Sequence, residues 1–137
     1  MVRKDAKVKM LATVPLFSAC SRKELEKIEK IADELDLPEG KVLCKEGESG
    51  REFFVLLGGE AIVRRRGRKV NTLGEGDFFG EIALISKLPR TATVTAATPL
   101  RALVVTGRDF VNLLERQPAI QLKVLRALAD RLARDAV

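Results

Sequence analysis

The stretch that decides the fold runs from Phe78 to Val94, F-F-G-E-I-A-L-I-S-K-L-P-R-T-A-T-V. Gly80 lacks a Cβ atom, so the backbone there can approach a ligand closely. The run that begins at Glu81 favours one helical turn, whose first N–H groups lack helical partners and can bind an anion. Pro89 ends the helical tendency, and the planar guanidinium of Arg90 suits two phosphate oxygens. The stretch therefore predicts a loop, a short helix, a second loop and a strand around a bound phosphate.

Glu81 is the unexpected member of this stretch, because a carboxylate repels a phosphate. An ionised carboxylate only accepts hydrogen bonds, which suits it to sugar hydroxyls. The alternative is a first-turn carboxylate that is merely stabilised by the helix dipole. Under the first interpretation, an anion cradle beside a hydroxyl acceptor predicts a sugar phosphate as the ligand.

Two parts of the stretch, F-G-E-I-A-L at 79–84 and P-R-T-A-T-V at 89–94, resemble the phosphate-binding cassette of cyclic-nucleotide-binding domains at the expected spacing. The segment from Glu46 to Val63 also resembles the front half of that family, so the resemblance extends from about Leu16 to about Arg134. It implies a mainly β fold, a jelly-roll-like β-roll with N-terminal helices and a C-terminal lid helix.

The resemblance also implies a cyclic nucleotide as the ligand, with Arg90 on the cyclic phosphate and Glu81 on the ribose 2′-hydroxyl. In the family, a hydroxyl at the position of Thr91 can reach a guanine held syn, and threonine occurs there in cAMP- and cGMP-responsive members. Thr91 could also simply open a strand with a β-branched residue. We therefore expect cAMP and leave cGMP open. The predicted binding residues are Phe79, Gly80, Glu81, Ile82, Ala83, Arg90, Thr91 and Ala92.

The composition argues against catalysis. The chain has no histidine, which excludes a histidine general base and most zinc chemistry. Its two cysteines, Cys20 and Cys44, form neither a metal-site spacing nor a disulfide framework, so both are expected to be reduced, as in the cytoplasm. No apolar run approaches membrane-span length. We expect a non-catalytic cytoplasmic sensor without cofactor or metal. The alternatives are a phosphodiesterase-like enzyme and a β-roll that serves only for dimerisation or docking.

Local patterns predict one domain over residues 1–137. A helical lead-in is expected over about 7–35, with a break at Pro15 and a capping box at Ser21 and Glu24. Its second helix has Leu25, Ile28, Ile31, Ala32 and Leu35 near one face. The β-roll is expected over about 33–106 and the C-terminal helices over about 107–134, the second starting at Pro118. The predicted strands are Asp33–Leu37, Lys41–Lys45, Glu52–Leu57, Glu60–Arg65, Lys69–Leu73, Thr91–Ala97 and Leu100–Thr106.

The last predicted helix has two apolar stripes, one through Leu122 and Leu125 and one through Ile120 and Val124. One stripe can cover the roll and the ligand, and the other can meet a partner helix in a homodimer. The resemblance implies that this helix closes over the purine, and plain packing is the alternative for each residue. It also implies an effector domain, which we expect to lie outside this chain. The candidate base-capping residues are Leu122, Leu125 and Arg126.

The densest basic run is R-R-R-G-R-K at residues 64–69, in a chain with a formal net charge of +6. The run straddles a predicted hairpin turn, where like charges can simply face water. A contact with an acidic partner or a nucleic acid is the alternative. Because no aromatics interleave the run and no helix-turn-helix follows, we expect no direct nucleic acid contact.

Overall fold

The computed structural model describes residues 2–135. The chain forms two compact units, one from residues 1–30 with 112–137 and one from residues 31–111. The helices are α1 (Val2–Thr13), α2 (Arg22–Ile31), α3 (Glu81–Ser86), α4 (Gly107–Arg116) and α5 (Pro118–Asp135), with a 3-10 turn at Pro15–Phe17. The strands are β1 (Ala32–Leu37), β2 (Val42–Cys44), β3 (Glu52–Gly58), β4 (Ala61–Arg65), β5 (Arg68–Leu73), β6 (Phe78–Phe79), β7 (Thr93–Ala96) and β8 (Leu100–Thr106).

The unit of residues 31–111 consists of two four-stranded antiparallel sheets, in the orders β1-β8-β3-β6 and β2-β7-β4-β5. Two such sheets are the arrangement of a jelly roll, and the predicted mainly β class with flanking helices is confirmed. The core is formed mainly by one side-chain parity of β3, β4, β7 and β8, because successive side chains point to opposite faces. Its buried residues are Cys44, Phe54, Leu56, Ala61, Leu73, Phe79, Val94, Ala96, Leu100, Ala102 and Val104.

The opposite parity of β3 and β8 is buried as well, which is why both strands read as continuous apolar runs. Phe53 stacks on Phe110 of α4 with ring centroids 4.1 Å apart, and it tilts against Phe78 of β6 at 5.7 Å. Val55 of β3 and Val105 of β8 are also buried. β3 and β8 are thus buried on both faces along most of their length, and the candidate site lies at the start of β3.

The seven predicted strands all occur within two residues of their predicted bounds. The predicted helical face through Leu35 is wrong, because α2 ends at Ile31 and Ala32 begins β1. Leu35 pairs with Ala102 in the β1–β8 ladder and is 43% exposed. The short strand β6 was expected to be a loop.

The unit of residues 1–30 and 112–137 contains α1, α5, most of α2 and the second half of α4. Ser21 and Glu24 form the predicted capping box, with the Ser21 N–H donating to Oε1 of Glu24 at 2.7 Å and the Glu24 N–H to Oγ of Ser21 at 3.2 Å. Lys123 of α5 donates to the carbonyl of Pro15 at 2.6 Å and to the hydroxyl of Ser18. These bonds tie α5 to the 3-10 turn.

Helix α5 begins at Pro118, as predicted. Ile120 and Val124 are buried, whereas Leu122 is 45% and Leu125 61% exposed. The two predicted stripes therefore differ in burial. The predicted stripe through Leu122 and Leu125 continues through Ala129 to Leu132, whose side chain lies outside the described ones.

Candidate ligand-binding site

The site begins where β6 ends and α3 starts. Phe79 pairs with Phe54 of β3 and is buried, which brings Gly80 beside the start of β3. Gly80 is the residue before α3 and has φ of 99°, a left-handed conformation that favours glycine. A Cβ atom there would lie 2.7 Å from the carbonyl oxygen of Glu52 and 2.8 Å from Nη1 of Arg90. The position therefore requires glycine for both its conformation and its space.

Arg90 is the central polar side chain of the site and is only 8% exposed. Its Nη1 donates to the carbonyl of Gly80 at 2.9 Å, and its Nη2 donates to the carbonyl of Glu52 at 2.6 Å. Its backbone N–H donates to the carbonyl of Glu48 at 2.8 Å, and its own carbonyl accepts from the N–H of Gly47 at 2.9 Å. The guanidinium is therefore fixed between the start of α3 and the start of β3.

Gly50, in the loop that leads into β3, lies directly against this arginine. A Cβ atom at Gly50 would lie 2.7 Å from Cβ of Ala83, 2.8 Å from Nε of Arg90 and 2.9 Å from its Cζ. The side chains of Ala83 and Arg90 thus fill the space that a side chain at Gly50 would need. The sequence prediction of the binding residues missed Gly50 and the carbonyl of Glu52. The only signal for them was the family-like segment that begins at Glu46, since backbone contacts do not depend on residue type.

Glu81, the first residue of α3, has no solvent exposure, and Ala83 is also buried. Ile82 between them is 37% exposed. Burial raises the pKa of the Cys44 thiol to about 11; the positive charge of Arg90 opposes this shift, and the carboxylates of Glu52 and Glu81 reinforce it. Cys44 therefore lies within electrostatic reach of the guanidinium and of both carboxylates.

A cavity of about 550 Å³ lies beside Arg90. Residues 43–52 form most of its wall, and residues 79–83 do not line it. Arg90 therefore belongs both to the cassette and to the cavity wall, whereas α3 does not line the cavity. The lining residues are Leu43, Cys44, Lys45, Gly47, Glu48, Ser49, Arg51, Glu52 and Arg90.

Thr91 and Ala92 follow Arg90 toward β7. Thr91 is exposed and Ala92 is half-buried. The carbonyl of Thr91 accepts a hydrogen bond from Nε of Arg65 at 3.2 Å. The structure thus brings together the cassette residues 79–83 and Arg90, and it places Thr91 at the edge of this group.

The candidate base-capping residues Leu122, Leu125 and Arg126 all lie on α5, in the other unit, and all three are exposed. Their role stays a prediction. Among the described residues, no group of three or more potential metal ligands occurs. No described helix combines the length and hydropathy that crossing a bilayer requires.

The sequence profile described as "Cyclic nucleotide-binding domain" matches residues 34–117. A cyclic nucleotide-gated potassium channel of Rhizobium etli is 36% identical over 122 residues, which cover 89% of this chain and 34% of the channel. A cAMP-dependent protein kinase regulatory subunit of Mycosarcoma maydis is 40% identical over 118 residues, 77% of this chain and 22% of that subunit. The chain spans about a third or less of the length of these relatives.

Among solved structures, the one described as cAMP-bound PfPKA-R superposes with a TM-score of 0.84 at 26% identity, over 94% of this chain and 45% of that one. The matched profile covers well over half of the chain, including both sheets, α3 and Arg90. This chain belongs to the cyclic nucleotide-binding domain family.

Proposed function

We propose that this chain binds a cyclic nucleotide, cAMP in preference to cGMP, and acts as a non-catalytic sensor. The observation that carries the proposal is Arg90, a buried guanidinium whose two terminal nitrogens are each fixed by a backbone carbonyl. Burying a charge is costly unless it is well partnered, so a guanidinium in this position favours an anionic ligand. Two similar proteins support cAMP by their names, the cAMP-dependent protein kinase regulatory subunit of Mycosarcoma maydis and the cAMP-bound PfPKA-R.

The cyclic phosphate is proposed to bind at Arg90 and at the first backbone groups of α3. A guanidinium carries five N–H donors, and Arg90 uses two of them on the carbonyls of Gly80 and Glu52. The remaining donors can bind phosphate oxygens. Because the fork is already fixed, little side-chain entropy is lost when the phosphate binds. Phe79, Gly80, Ile82, Ala83 and Ala92 shape the backbone around the phosphate.

The ribose 2′-hydroxyl is proposed to donate to the carboxylate of Glu81. This carboxylate is the first residue of α3 and has no solvent exposure, so a hydrogen bond to it would be shielded from competing water. A buried acceptor of this kind discriminates strongly against a ligand that lacks the hydroxyl.

Base preference is proposed to depend on Thr91 and on a cap from α5. Thr91 is exposed beside Arg90, so its hydroxyl is accessible to a guanine as well as to water. The α5 residues Leu122, Leu125 and Arg126 offer aliphatic and guanidinium surface, which suits stacking on a purine of either kind. These features leave cGMP possible, and the expectation that cAMP binds more tightly rests on the cAMP-dependent and cAMP-bound proteins that the chain resembles.

Binding is proposed to be transmitted through α5 to an effector domain or a partner subunit. The exposed stripe at Leu122 and Leu125 provides an apolar surface for a homodimer. A cytoplasmic location is supported by the two free cysteines, Cys20 and Cys44. A ligand can shift the position of α5 only if it binds the protein more tightly with α5 in one position than with α5 in another.

Calorimetric titration of cAMP and cGMP into nucleotide-stripped protein tests the proposal. We expect saturable binding of one nucleotide per chain, with the lower dissociation constant for cAMP. A reversed order would make the chain a cGMP sensor. No heat of binding and no thermal shift with either nucleotide would instead favour a β-roll used only for docking. Nucleotide that is hydrolysed during overnight incubation would contradict the non-catalytic role.

A further inference from the structure

Residues 64–69, here called the basic hairpin, contain five cations in six positions: Arg64, Arg65, Arg66, Arg68 and Lys69. With these five set aside, the remaining 20 lysines and arginines nearly balance the 19 aspartates and glutamates of the chain. Almost the whole net charge of +6 is therefore concentrated in one turn. A concentration of this kind creates a local field that an evenly distributed surplus would not.

The turn holds these cations in a defined arrangement. Arg66 and Gly67 have φ of 55° and 78°, and positive φ at both central residues is typical of the type I′ turn that joins tightly paired strands. Arg64 lies opposite Lys69 and Arg65 opposite Arg68 in the β4–β5 ladder. β5 is the edge strand of its sheet, so the hairpin has no neighbouring strand on that side.

This arrangement is not explained by stability. Like charges directly opposite each other across a strand pair destabilise it. Arg65, Arg66, Arg68 and Lys69 are exposed and Arg64 is half-buried. Among the described side chains, the ion pairs involve Arg22 and Arg101 and none of the five hairpin cations. Ion pairs among the described side chains therefore leave the charge of the hairpin unneutralised.

The side chains available at and around the hairpin limit the classes of partner that it can bind. Single-stranded nucleic acids stack on exposed aromatics. Of the six phenylalanines, five are buried and Phe78 is only partly exposed, and the chain has no Trp or Tyr. A protein interface needs an apolar centre with aromatic anchors, and the six hairpin residues provide none. Binding to a surface that presents many anions at once, by contrast, requires only clustered cations on the protein.

We propose that the basic hairpin binds the surface of membranes that contain anionic lipids. Clusters of four to eight lysines and arginines are typical of segments that bind such surfaces, and each cation near the surface contributes about 1 kcal/mol or about fivefold in affinity. The turn is already ordered, so the cations reach the headgroups together.

The hairpin is also bonded to the two segments that meet at Arg90. Nε of Arg65 donates to the carbonyl of Thr91 at 3.2 Å, and the N–H of Arg66 donates to Oε1 of Glu46 at 2.9 Å. A test of membrane binding should leave these bonds intact. The variant that removes charge without touching them replaces Arg64, Arg68 and Lys69.

The experiment measures co-sedimentation of the whole chain with vesicles of phosphatidylcholine that contain about one third phosphatidylserine, and with vesicles of phosphatidylcholine alone. We expect binding only to the anionic vesicles at about 0.1 M salt, and its loss at about 0.5 M salt. The triple variant R64Q/R68Q/K69Q should bind about a hundredfold more weakly, at about fivefold for each cation.

The matched control removes the same charge from three exposed lysines of α2, in K23Q/K27Q/K30Q. It should keep its vesicle affinity within about threefold, because these lysines alternate with Glu24, Glu26 and Glu29 along α2 and create no comparable positive field. An equal loss in both variants, or no binding of the unsubstituted chain, would overturn the proposal. So would hairpin-dependent binding of a duplex oligonucleotide or a polyglutamate peptide that is tighter than binding to the vesicles. Unchanged thermal unfolding of the hairpin variant shows that it remains folded.

Discussion

Arg90 and the arginines of the basic hairpin belong to the same roll but lie in opposite environments. Arg90 is 8% exposed and donates to two backbone carbonyls, whereas Arg66 and Arg68 are exposed. A fixed, partly dehydrated guanidinium suits one ligand of defined shape. Exposed guanidinium groups on a turn suit an extended anionic surface and are screened by salt. The difference teaches that residue type alone does not assign a role, and that burial and hydrogen bonding do.

The largest expected effect comes from removing the buried arginine, Arg90. Arg90→Ala should bind cAMP at least about tenfold more weakly, because truncating one partner of a buried charge pair costs about 2–5 kcal/mol. R64Q/R68Q/K69Q should keep its cAMP affinity within about twofold at moderate salt, since surface charges are screened there. Calorimetric titration of both variants measures the contrast. Equal affinity of Arg90→Ala and the unsubstituted chain would remove Arg90 from the site.

Cys44 provides a reporter inside the same region. Burial raises the pKa of its thiol from 9.0 to about 11, with Arg90 opposing and Glu52 and Glu81 reinforcing the shift. Below pH 9 the folded and unfolded chains both hold the proton. Between pH 9 and about 11 only the folded chain keeps it, so the free energy of unfolding should fall by about 2–3 kcal/mol as pH rises.

Urea unfolding from about pH 8 to about pH 11 measures this loss as the difference between the unsubstituted chain and Cys44→Ala. In the Arg90→Ala background the opposing positive charge is absent, so the pKa of Cys44 should lie higher still. The hairpin variant should leave the thiol unchanged. Identical pH profiles with and without Cys44 would show that its proton is not linked to folding.

Glu81 should have a smaller effect that depends on the ligand. Glu81→Gln should weaken cAMP binding about tenfold, in keeping with the loss of one hydrogen bond to a charged group. The same variant should bind 2′-deoxy-cAMP as well as the unsubstituted chain does, because that ligand has no 2′-hydroxyl to donate a hydrogen bond to the carboxylate. Competition titration of both nucleotides measures whether the loss of affinity in Glu81→Gln depends on the 2′-hydroxyl. An equal loss for the two ligands would assign Glu81 to the stability of α3 instead.

Much of the site could be predicted because its chemistry is local in sequence. Gly80, Glu81, Pro89 and Arg90 lie in one short stretch, and each has a conformational or hydrogen-bonding signature of its own. The partners of Arg90 could not be predicted in the same way. The carbonyl of Glu52 is 38 positions away from Arg90, and a carbonyl acceptor is present on every residue.

The errors in the predicted fold have similar causes. Ile31, Ala32 and Leu35 continue the apolar spacing of α2, so periodicity alone extends the helix. Pairing of Ala32 with Val105 and of Leu35 with Ala102 makes this segment a strand instead. The two residues of β6 are too few to show alternation, and only their pairing with β3 defines them. In both places, long-range strand pairing decided the structure.

Gly50 offers a test of how Arg90 is positioned. A substitution there adds a Cβ atom beside the arginine and removes no other group. Gly50 and Gly58 both lack positive φ, but a Cβ atom meets Arg90 and Ala83 at Gly50 and nothing within 4 Å at Gly58. Gly50→Ala should therefore shift the guanidinium and the start of α3 and weaken cAMP binding about fivefold, within the 1–3 kcal/mol that overpacking costs. Gly58→Ala should bind cAMP normally. If Gly50→Ala lowered thermal stability while its nucleotide affinity stayed equal to that of Gly58→Ala, the contact would support the loop without positioning Arg90.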